Sequence, residues 1–254
     1  MPEPRQVHLQ PAYVLHHRPY RDTSRILELF TRDYGRVSLF ARASRGSSKR
    51  GASLMPMLQP FNRLLVSWSG RGEAGQLTGV EFDGAVVPLP QDRLISGFYL
   101  NELLLKLFAR HDSHADVFDL YAHAVRSLAR SDLTPLDTAR VLRLFEKRLL
   151  EALGYGLALE READSGAPLE AGGLYRYRLE QGPVRVPDAT EGDLVFPGAV
   201  LLSLAREELA DAQTCAQARR LLRAALDRCL DGRELKTRQG MLALRRQGAG
   251  AAPK

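Results

Sequence analysis

The spacing of apolar residues changes once along this 254-residue chain, near residue 90. Before that point, short runs rich in Val, Leu, Phe, Tyr and Trp are separated by turn residues, which is typical of β-strands. After it, apolar residues recur at intervals of three and four, as they do in amphipathic helices. This order predicts an α+β protein in which strands precede helices.

Five strand-like runs predict a small barrel in the first part of the chain. They lie at residues 12–15, 25–30, 35–40, 63–68 and 75–82. A five-stranded barrel is the architecture of the oligonucleotide-binding (OB) fold, although small barrels also serve protein contacts. We therefore expect an N-terminal OB-type β-barrel over residues 1–85.

The second part, residues 90–254, is predicted to be an α-helical domain. It is interrupted at about residues 157–197 by a Gly- and Pro-rich stretch, which is expected to form a small irregular insert. Thr134 and Pro135 predict a helix N-terminus that Asp137 completes. Thr214 is expected to cap the last long helix.

A glycine motif near residue 70 needs separate treatment. Gly70, Gly72 and Gly75 match the spacing of a dinucleotide-binding loop. That loop requires a helix after its third glycine, but the residues that follow Gly75 have strand character. The motif therefore predicts a glycine-rich hairpin between two barrel strands.

Residues 34–72 contain seven basic residues and no Asp or Glu. The whole chain has a net charge of +6. This basic segment favours a polyanionic partner, and nucleic acid is the first candidate. The alternative is that residues 43–53 are a solvated loop that happens to be basic. We assign the seven cations and one ring to DNA binding: Arg36, Arg42, Arg45, Lys49, Arg50, Arg63, Arg71 and Trp68.

Aromatic residues alternate with these cations, as they do in proteins that stack single-stranded bases. They are Tyr34, Phe40, Phe61 and Trp68. Most rings in a barrel of this size fill its core, so we expect at most one or two of them to be exposed.

Two further groups of cations are candidate binding residues. Arg140, Arg143 and Lys147 share one stripe of a predicted helix and could bind an acidic peptide, although such a stripe is usually only a solvated face. The remaining group is an additional basic surface near the C-terminus. Its members are Arg219, Arg220, Arg223, Lys236 and Arg238.

The sequence contains none of the common catalytic signatures. It has no phosphate-binding loop, no G-x-S-x-G elbow and no Cys-x-x-Cys pair. A metal-dependent hydrolase is the least favoured function, and we predict no enzyme activity, no catalytic residue, no metal and no cofactor. Without a signal peptide or an apolar run of membrane length, the chain is expected to be cytoplasmic and nucleoid-associated.

Short motifs in a fixed order cover nearly the whole chain. They are AYVL at 12–15, RP at 18–19, TS at 23–24, FT at 30–31, GRV at 35–37, LQPF at 58–61, GRGE at 70–73, GFYLNELL at 97–104, LFE at 144–146, LGY at 153–155 and LKTR at 235–238. As an ordered set, they resemble the bacterial DNA repair and recombination mediator family RecO.

This resemblance implies an OB barrel, a helical domain and an insert that carries a four-cysteine zinc site in many relatives. Residues 157–196 contain no cysteine, so the chain resembles the zinc-less members. The family binds single- and double-stranded DNA, anneals complementary strands and contacts the acidic tail of the single-stranded DNA-binding protein. It also works with RecR and RecF to load the RecA recombinase.

The resemblance and the charge pattern both favour a non-enzymatic DNA mediator. Its barrel would neutralise phosphates while the helical domain captures the acidic tail. The alternative is a protein-interaction scaffold whose barrel docks a partner and whose DNA binding is incidental. Steep salt dependence of DNA binding would favour the mediator over the scaffold.

Overall fold

A computed structural model describes residues 6–20, 24–42, 54–70, 74–188 and 194–241. The chain forms two compact units. The first comprises Met1–Ser131 and Glu234–Lys254, and the second comprises Asp132–Arg233. The boundary predicted between residues 85 and 90 lies inside the first unit, and it stays a prediction.

The first unit begins with the expected five strands. They are β1 Gln6–Tyr20, β2 Ser24–Thr31, β3 Gly35–Arg42, β4 Arg63–Ser69 and β5 Gly75–Phe82. The strands close into a barrel in the order β1-β2-β3-β5-β4, in which β3 and β5 are parallel and the other pairs antiparallel. The predicted OB-type barrel and α+β class are confirmed. Gly75 begins a strand, which confirms the hairpin interpretation of the glycine motif.

Alternating positions of the strands fill the barrel. In β2 and β3, Leu27, Leu29, Val37 and Leu39 are almost fully buried, so the residues between them lie on the outer face. Trp68 belongs to the same core cluster. The inward and outward sets are therefore fixed by the two-residue period of the strands.

Two helices pack on the barrel through aromatic rings. After a 3-10 turn at Gln91–Arg93 come α1 Leu94–Leu107 and α2 Ala115–Leu128. Tyr13 of β1 and Phe30 of β2 both contact Phe118 and Tyr121 of α2, with ring centroids 5.0–6.5 Å apart. Such tilted and edge-on pairs stabilise beyond their buried area.

Asn101 connects three elements of this unit inside the apolar contact. Its side-chain amide donates to the Leu15 carbonyl of β1 at 2.9 Å, and its Oδ1 accepts from the Tyr121 hydroxyl at 2.6 Å. The amide and the carbonyl oxygen of Asn101 and the Tyr121 hydroxyl are thus all hydrogen-bonded inside the apolar contact. Burial raises the pKa of Tyr121 well above its ordinary value, so the phenol stays neutral.

The second unit contains the remaining helices and a small sheet. Its elements are α3 Pro135–Ala152, β6 Leu174–Arg178, β7 Gly182–Arg185, β8 Val195–Pro197, α4 Gly198–Ala205 and α5 Ala212–Leu230. The three strands pair in the order β7-β6-β8, so the predicted irregular insert contains a regular sheet. Strand β8 was not predicted, since three residues carry too little pattern.

The helix caps of the second unit agree with expectation in one case of two. Thr134 and Asp137 form the predicted reciprocal capping box at the start of α3. The expected Thr214 cap is wrong, because α5 begins one turn earlier. Asp211 is the N-cap residue and accepts hydrogen bonds from the Thr214 amide and hydroxyl at 2.9 and 2.7 Å.

The C-terminal segment returns to the first unit and is held there by one carboxylate. Residues 236–241 form a last short helix. Glu102 of α1 accepts hydrogen bonds from the backbone N–H groups of Lys236 and Thr237, both at 2.9 Å, and from the Thr237 hydroxyl at 2.6 Å. Burial alone would raise the pKa of Glu102, but these donors and Lys106 outweigh it and lower that pKa.

Replacing Glu102 by Gln should therefore lower the free energy of unfolding by about 2 kcal/mol at neutral pH, the usual worth of hydrogen bonds to a charged group. A carboxylate with a lowered folded pKa stabilises above its unfolded value, roughly 4.3, and loses this effect as the pH falls through the folded pKa. Urea unfolding of both proteins across acidic pH should show the difference shrinking below about pH 4.

Glu81→Gln is the matched control, because Glu81 is exposed on β5. This substitution should leave the unfolding free energy nearly unchanged at every pH. A Glu102→Gln deficit that stays constant down to pH 3 would contradict the assigned role of the charge.

Candidate nucleic-acid interface

The strand register places three chain connections at one end of the barrel. Tyr20 pairs with Ser24, and Ser24 pairs with Arg42. Gln76 lies beside both Phe40 and Ser69. The β1–β2 and β4–β5 connections and the end of β3 therefore meet at this end, which we call the loop end. In OB barrels, these connections flank the face that binds oligonucleotides.

The opposite end of the barrel, which we call the helix end, contains the β2–β3 turn and the start of β4. Thr31 pairs with Gly35 and with Ala12, which in turn pairs with Leu64. Gly35 has a φ of +63°, and a Cβ there would lie 2.0 Å from the Asp112 carbonyl oxygen. This end is therefore closely packed against the loop that joins α1 and α2.

Two arginines at the loop end carry charge that no described carboxylate neutralises. Arg18 of β1 pairs with Ile26, and Arg42 ends β3. Both side chains belong to exposed residues on the outer face of the barrel. Of the predicted DNA-binding residues within the described segments, Arg42 alone combines exposure with the absence of an ion pair to a described residue.

A third arginine, Arg25, also lies at the loop end of the barrel. Arg25 has the same inward orientation as Leu27 and Leu29 of β2, and its guanidinium is 2.9 Å from Nδ1 of His17. Burial and the charge of Arg25 lower the pKa of His17, so the imidazole is neutral near pH 7 and the charge of the pair belongs to Arg25. The loop end thus carries three cationic side chains within its described residues.

Arg36 lies at the helix end, where its side chain contacts other parts of the protein. Its guanidinium donates to the carbonyl oxygens of Leu105 and Phe108 at 2.6 and 2.7 Å, and it faces Glu28 at 3.5 Å. Burial lowers the pKa of Arg36, against the opposing effect of Glu28. The Arg36 side chain is only 12% exposed, and it is occupied by carbonyl groups at the end of α1. It is therefore not available to phosphate, and we do not include Arg36 in the candidate interface.

Arg63 also lies at the helix end. Its Nε donates to Asp83 at 2.6 Å, and this hydrogen bond raises the pKa of Arg63. The half-exposed pair is locally neutral. We therefore give Arg63 no part in the interface either.

Trp68 points into the barrel. It is 6% exposed and packs edge-on against Tyr34, with ring centroids 5.3 Å apart. A ring inside the core has no face to offer to a base, so Trp68 is a core residue. Of the four rings that alternate with the cations, Trp68 and Phe61 are buried, while Tyr34 and Phe40 are partly exposed, which agrees with the expectation that at most one or two would be exposed.

The other predicted DNA contacts lie outside the described residues. These are Arg45, Lys49, Arg50 and Arg71. Residues 43–53 follow Arg42 directly in the sequence, and residues 71–73 lie between β4 and β5. Their assignment to DNA stays a prediction.

The three cations assigned to an acidic peptide are already paired within the second unit. Arg140 donates to the carbonyls of Leu209 and Ala210 and to Asp137 at 3.0–3.3 Å. Arg143 forms a buried bidentate pair with Glu146. These contacts hold α3 in place, so neither side chain is an open binding group.

Lys147 completes that stripe and is likewise neutralised. Its ammonium lies 2.9 Å from Glu151 and 3.0 Å from Glu207. Burial lowers the pKa of Lys147, but the two carboxylates outweigh it and raise that pKa. An acidic peptide at this stripe would have to displace carboxylates of the protein itself.

The additional basic surface is divided between the two compact units. Arg219, Arg220 and Arg223 lie on α5 of the second unit, while Lys236 and Arg238 belong to the first. Arg220 lies 4.6 Å from the Phe196 ring and donates to the Val195 carbonyl, and Arg223 is 3.6 Å from Asp227. Their assignment to one basic surface stays a prediction.

Arg18, Arg25 and Tyr20 were missed by the sequence argument. The predicted first strand stopped at residue 15, whereas β1 continues to Tyr20. A register shift between Val14 and His16 breaks the alternation that would have signalled the continuation. The available signal for a longer first strand was Tyr20, a residue type that favours strands, which lies just before the predicted second strand.

The described residues contain neither a membrane-spanning helix nor a cluster of metal ligands. No helix there is long and apolar enough to cross a membrane. No group of three or more His, Cys, Asp or Glu side chains in those segments is arranged to hold a metal ion.

Known families match the chain over most of its length. The profile described as Recombination protein O N terminal matches residues 6–84, and the profile described as Recombination protein O C terminal matches residues 91–239. The first match covers the barrel.

Curated proteins of similar length match as well. The chain is 45% identical to a DNA repair protein RecO of Nitrosococcus oceani, over 96% of each chain. It is 45% identical to that of Alkalilimnicola ehrlichii, over 98% of this chain and 96% of the relative. It is 39% identical to that of Aromatoleum aromaticum, over 94% and 97%. With both profiles matched in order and relatives this similar along their full length, the chain belongs to the RecO family of recombination proteins.

Proposed function

We propose that this chain is a non-enzymatic recombination mediator that binds single- and double-stranded DNA and anneals complementary strands coated with single-stranded DNA-binding protein. Its family membership gives it a role in DNA repair and recombination. The observation that carries the DNA-binding step is the pair Arg18 and Arg42, two exposed cations on one face of the loop end without a described ion-pair partner.

Charge placement supports phosphate binding at the loop end. A cation that binds phosphate should not already be neutralised by a carboxylate of the free protein, because each such cation replaces a counterion condensed on DNA. Arg36 and Arg63 face carboxylates at the helix end, whereas Arg18 and Arg42 do not face any described carboxylate. The adjoining sequence, residues 43–53, adds three more bases and no acid.

Protein partners belong to the same proposal. We infer that the chain contacts the acidic tail of the single-stranded DNA-binding protein and works with RecR, and with RecF, to load the RecA recombinase. Support comes from the family alone, since the stripe of Arg140, Arg143 and Lys147 is internally paired. Tail binding there would require Glu207 to release Lys147.

The scaffold hypothesis differs in one measurable respect. A scaffold with incidental DNA binding would neutralise few phosphates, so its DNA affinity would depend weakly on salt. A mediator that grips the backbone with several arginines would lose affinity steeply as salt rises.

Replacing Arg18 and Arg42 together by Ala should weaken binding to single-stranded and duplex DNA alike. The slope of log K against log salt should become shallower by about 0.7 for each lost phosphate contact on a single strand and by about 0.9 on a duplex. Fluorescence anisotropy of labelled oligonucleotides across a salt series measures both quantities.

Arg32→Ala is the matched control for this pair. The Arg32 side chain is 43% exposed, but it lies at the helix end and donates to Asp119 at 3.0 Å. This substitution should leave the salt slope unchanged. Equal slopes for the double variant and wild type would remove Arg18 and Arg42 from the interface.

Annealing itself is tested with complementary strands coated by single-stranded DNA-binding protein, prepared with and without its acidic tail. We expect annealing to need the tail, because the tail recruits the mediator to strands whose phosphates are already covered. Annealing that is indifferent to the tail would leave a simple basic DNA binder, and none at all would favour the scaffold.

A further inference from the structure

Two aromatic side chains lie side by side on the outer face of the loop end. Register places Arg18, Ile26 and Phe40 in one row across β1, β2 and β3, and Tyr20, Ser24 and Arg42 in the next. Residues paired in this way point to the same side of the sheet. Since Leu27 and Leu39 point inward, the two rows point outward.

The rings form an exposed platform. The centroids of Tyr20 and Phe40 are 5.1 Å apart, and the ring planes are inclined by 50°. Tyr20 is 37% exposed, while Phe40 and Ile26 are partly exposed. Apolar rings at the surface of a barrel lose contact with water when a base covers them.

The charges around the platform fit a nucleic-acid strand. Arg18 lies in the row of Phe40, and Arg42 lies in the row of Tyr20. The nearest carboxylate along β2 is Glu28, one row further, where Arg36, Arg110 and the Ser38 hydroxyl already bind it. A strand whose bases lie on the rings would therefore find cations beside it for its phosphates.

Rings and cations respond to different parts of DNA. Phosphates are accessible in single strands and in duplexes, so cations bind both. Base faces are accessible to a side chain only when the bases are unstacked from one another, as in a single strand. A ring pair on a cationic face can therefore distinguish single-stranded DNA from duplex DNA.

We propose that Tyr20 and Phe40 form a base-stacking platform that gives the barrel a preference for single-stranded over double-stranded DNA. The inference rests on the proposed DNA-binding function and names the residues that select the strand form. Arg18 and Arg42 supply affinity common to both forms, and the rings supply the difference.

The test replaces both rings by Leu, which keeps apolar packing on the barrel and removes the flat faces. Three probes are compared by anisotropy: oligo-dT, an abasic oligonucleotide of the same length with the same phosphates, and a duplex. The Leu variant should bind oligo-dT at least about tenfold more weakly, as expected for the loss of one or two stacked bases. Its affinity for the abasic strand and for the duplex should stay within about twofold of wild type.

Two controls separate stacking from damage to the barrel. Tyr20→Phe with Phe40→Tyr keeps both rings and should retain the oligo-dT affinity of wild type. Phe82→Leu removes another exposed ring, 41% exposed at the far end of β5, and should also change nothing.

The outcomes are distinct. Equal losses on oligo-dT and on the abasic strand would overturn the proposal, because they would mean that the rings only support the barrel. No loss on oligo-dT would overturn it as well. If wild type binds no probe with steep salt dependence, the proposed DNA-binding function fails and the platform fails with it. If wild type binds all three probes equally and steeply with salt, the function stands and the platform alone is refuted.

Discussion

The contact between the barrel and the first two helices decides which surface of the OB fold can serve DNA. Tyr13 and Phe30 point outward from the barrel and pack against the aromatic rings of α2. Asn101 forms hydrogen bonds with both β1 and Tyr121. An unpaired buried amide would cost a few kcal/mol, so this joint tolerates little rearrangement. It occupies the helix end, and the loop end is where the three strand connections meet.

Charge is distributed along the barrel in accordance with this division. At the helix end, arginines close helix termini or bind carboxylates, and their charges serve the fold. At the loop end, Arg18 and Arg42 lie outside such pairs among the described residues. The same residue type therefore has two roles, and the role depends on the neighbours that register and packing supply. Net charge alone does not separate them.

Sequence patterns were sufficient for the number and order of the barrel strands, for the helices and for the Thr134 cap, because each such element reflects residues within a few positions of one another. They failed where the partner is distant in the chain. The carbonyls that bind Arg36 lie about seventy residues away, as do those that bind Arg140. Lys147 likewise meets Glu207 from the far side of the insert. No local spacing reports such contacts. The local partners Asp137, Glu146 and Glu151 do not by themselves show that a cation is also held by distant groups, so these paired cations resembled a binding stripe. Tyr20 was missed for a different reason, because the bulge between Val14 and His16 breaks the alternation of β1.

A mediator of the proposed kind, which uses no nucleotide, would need another free-energy change to release its product, and the proposed stacking platform would supply one. While two coated strands remain separate, bases can cover Tyr20 and Phe40. Once the strands pair, their bases stack within the duplex and leave the rings, so only phosphate contacts remain. On this proposal, the protein would hold the product less tightly than the substrate. Annealing would thereby be coupled to release, and the remaining phosphate contacts would weaken further as the salt concentration rises.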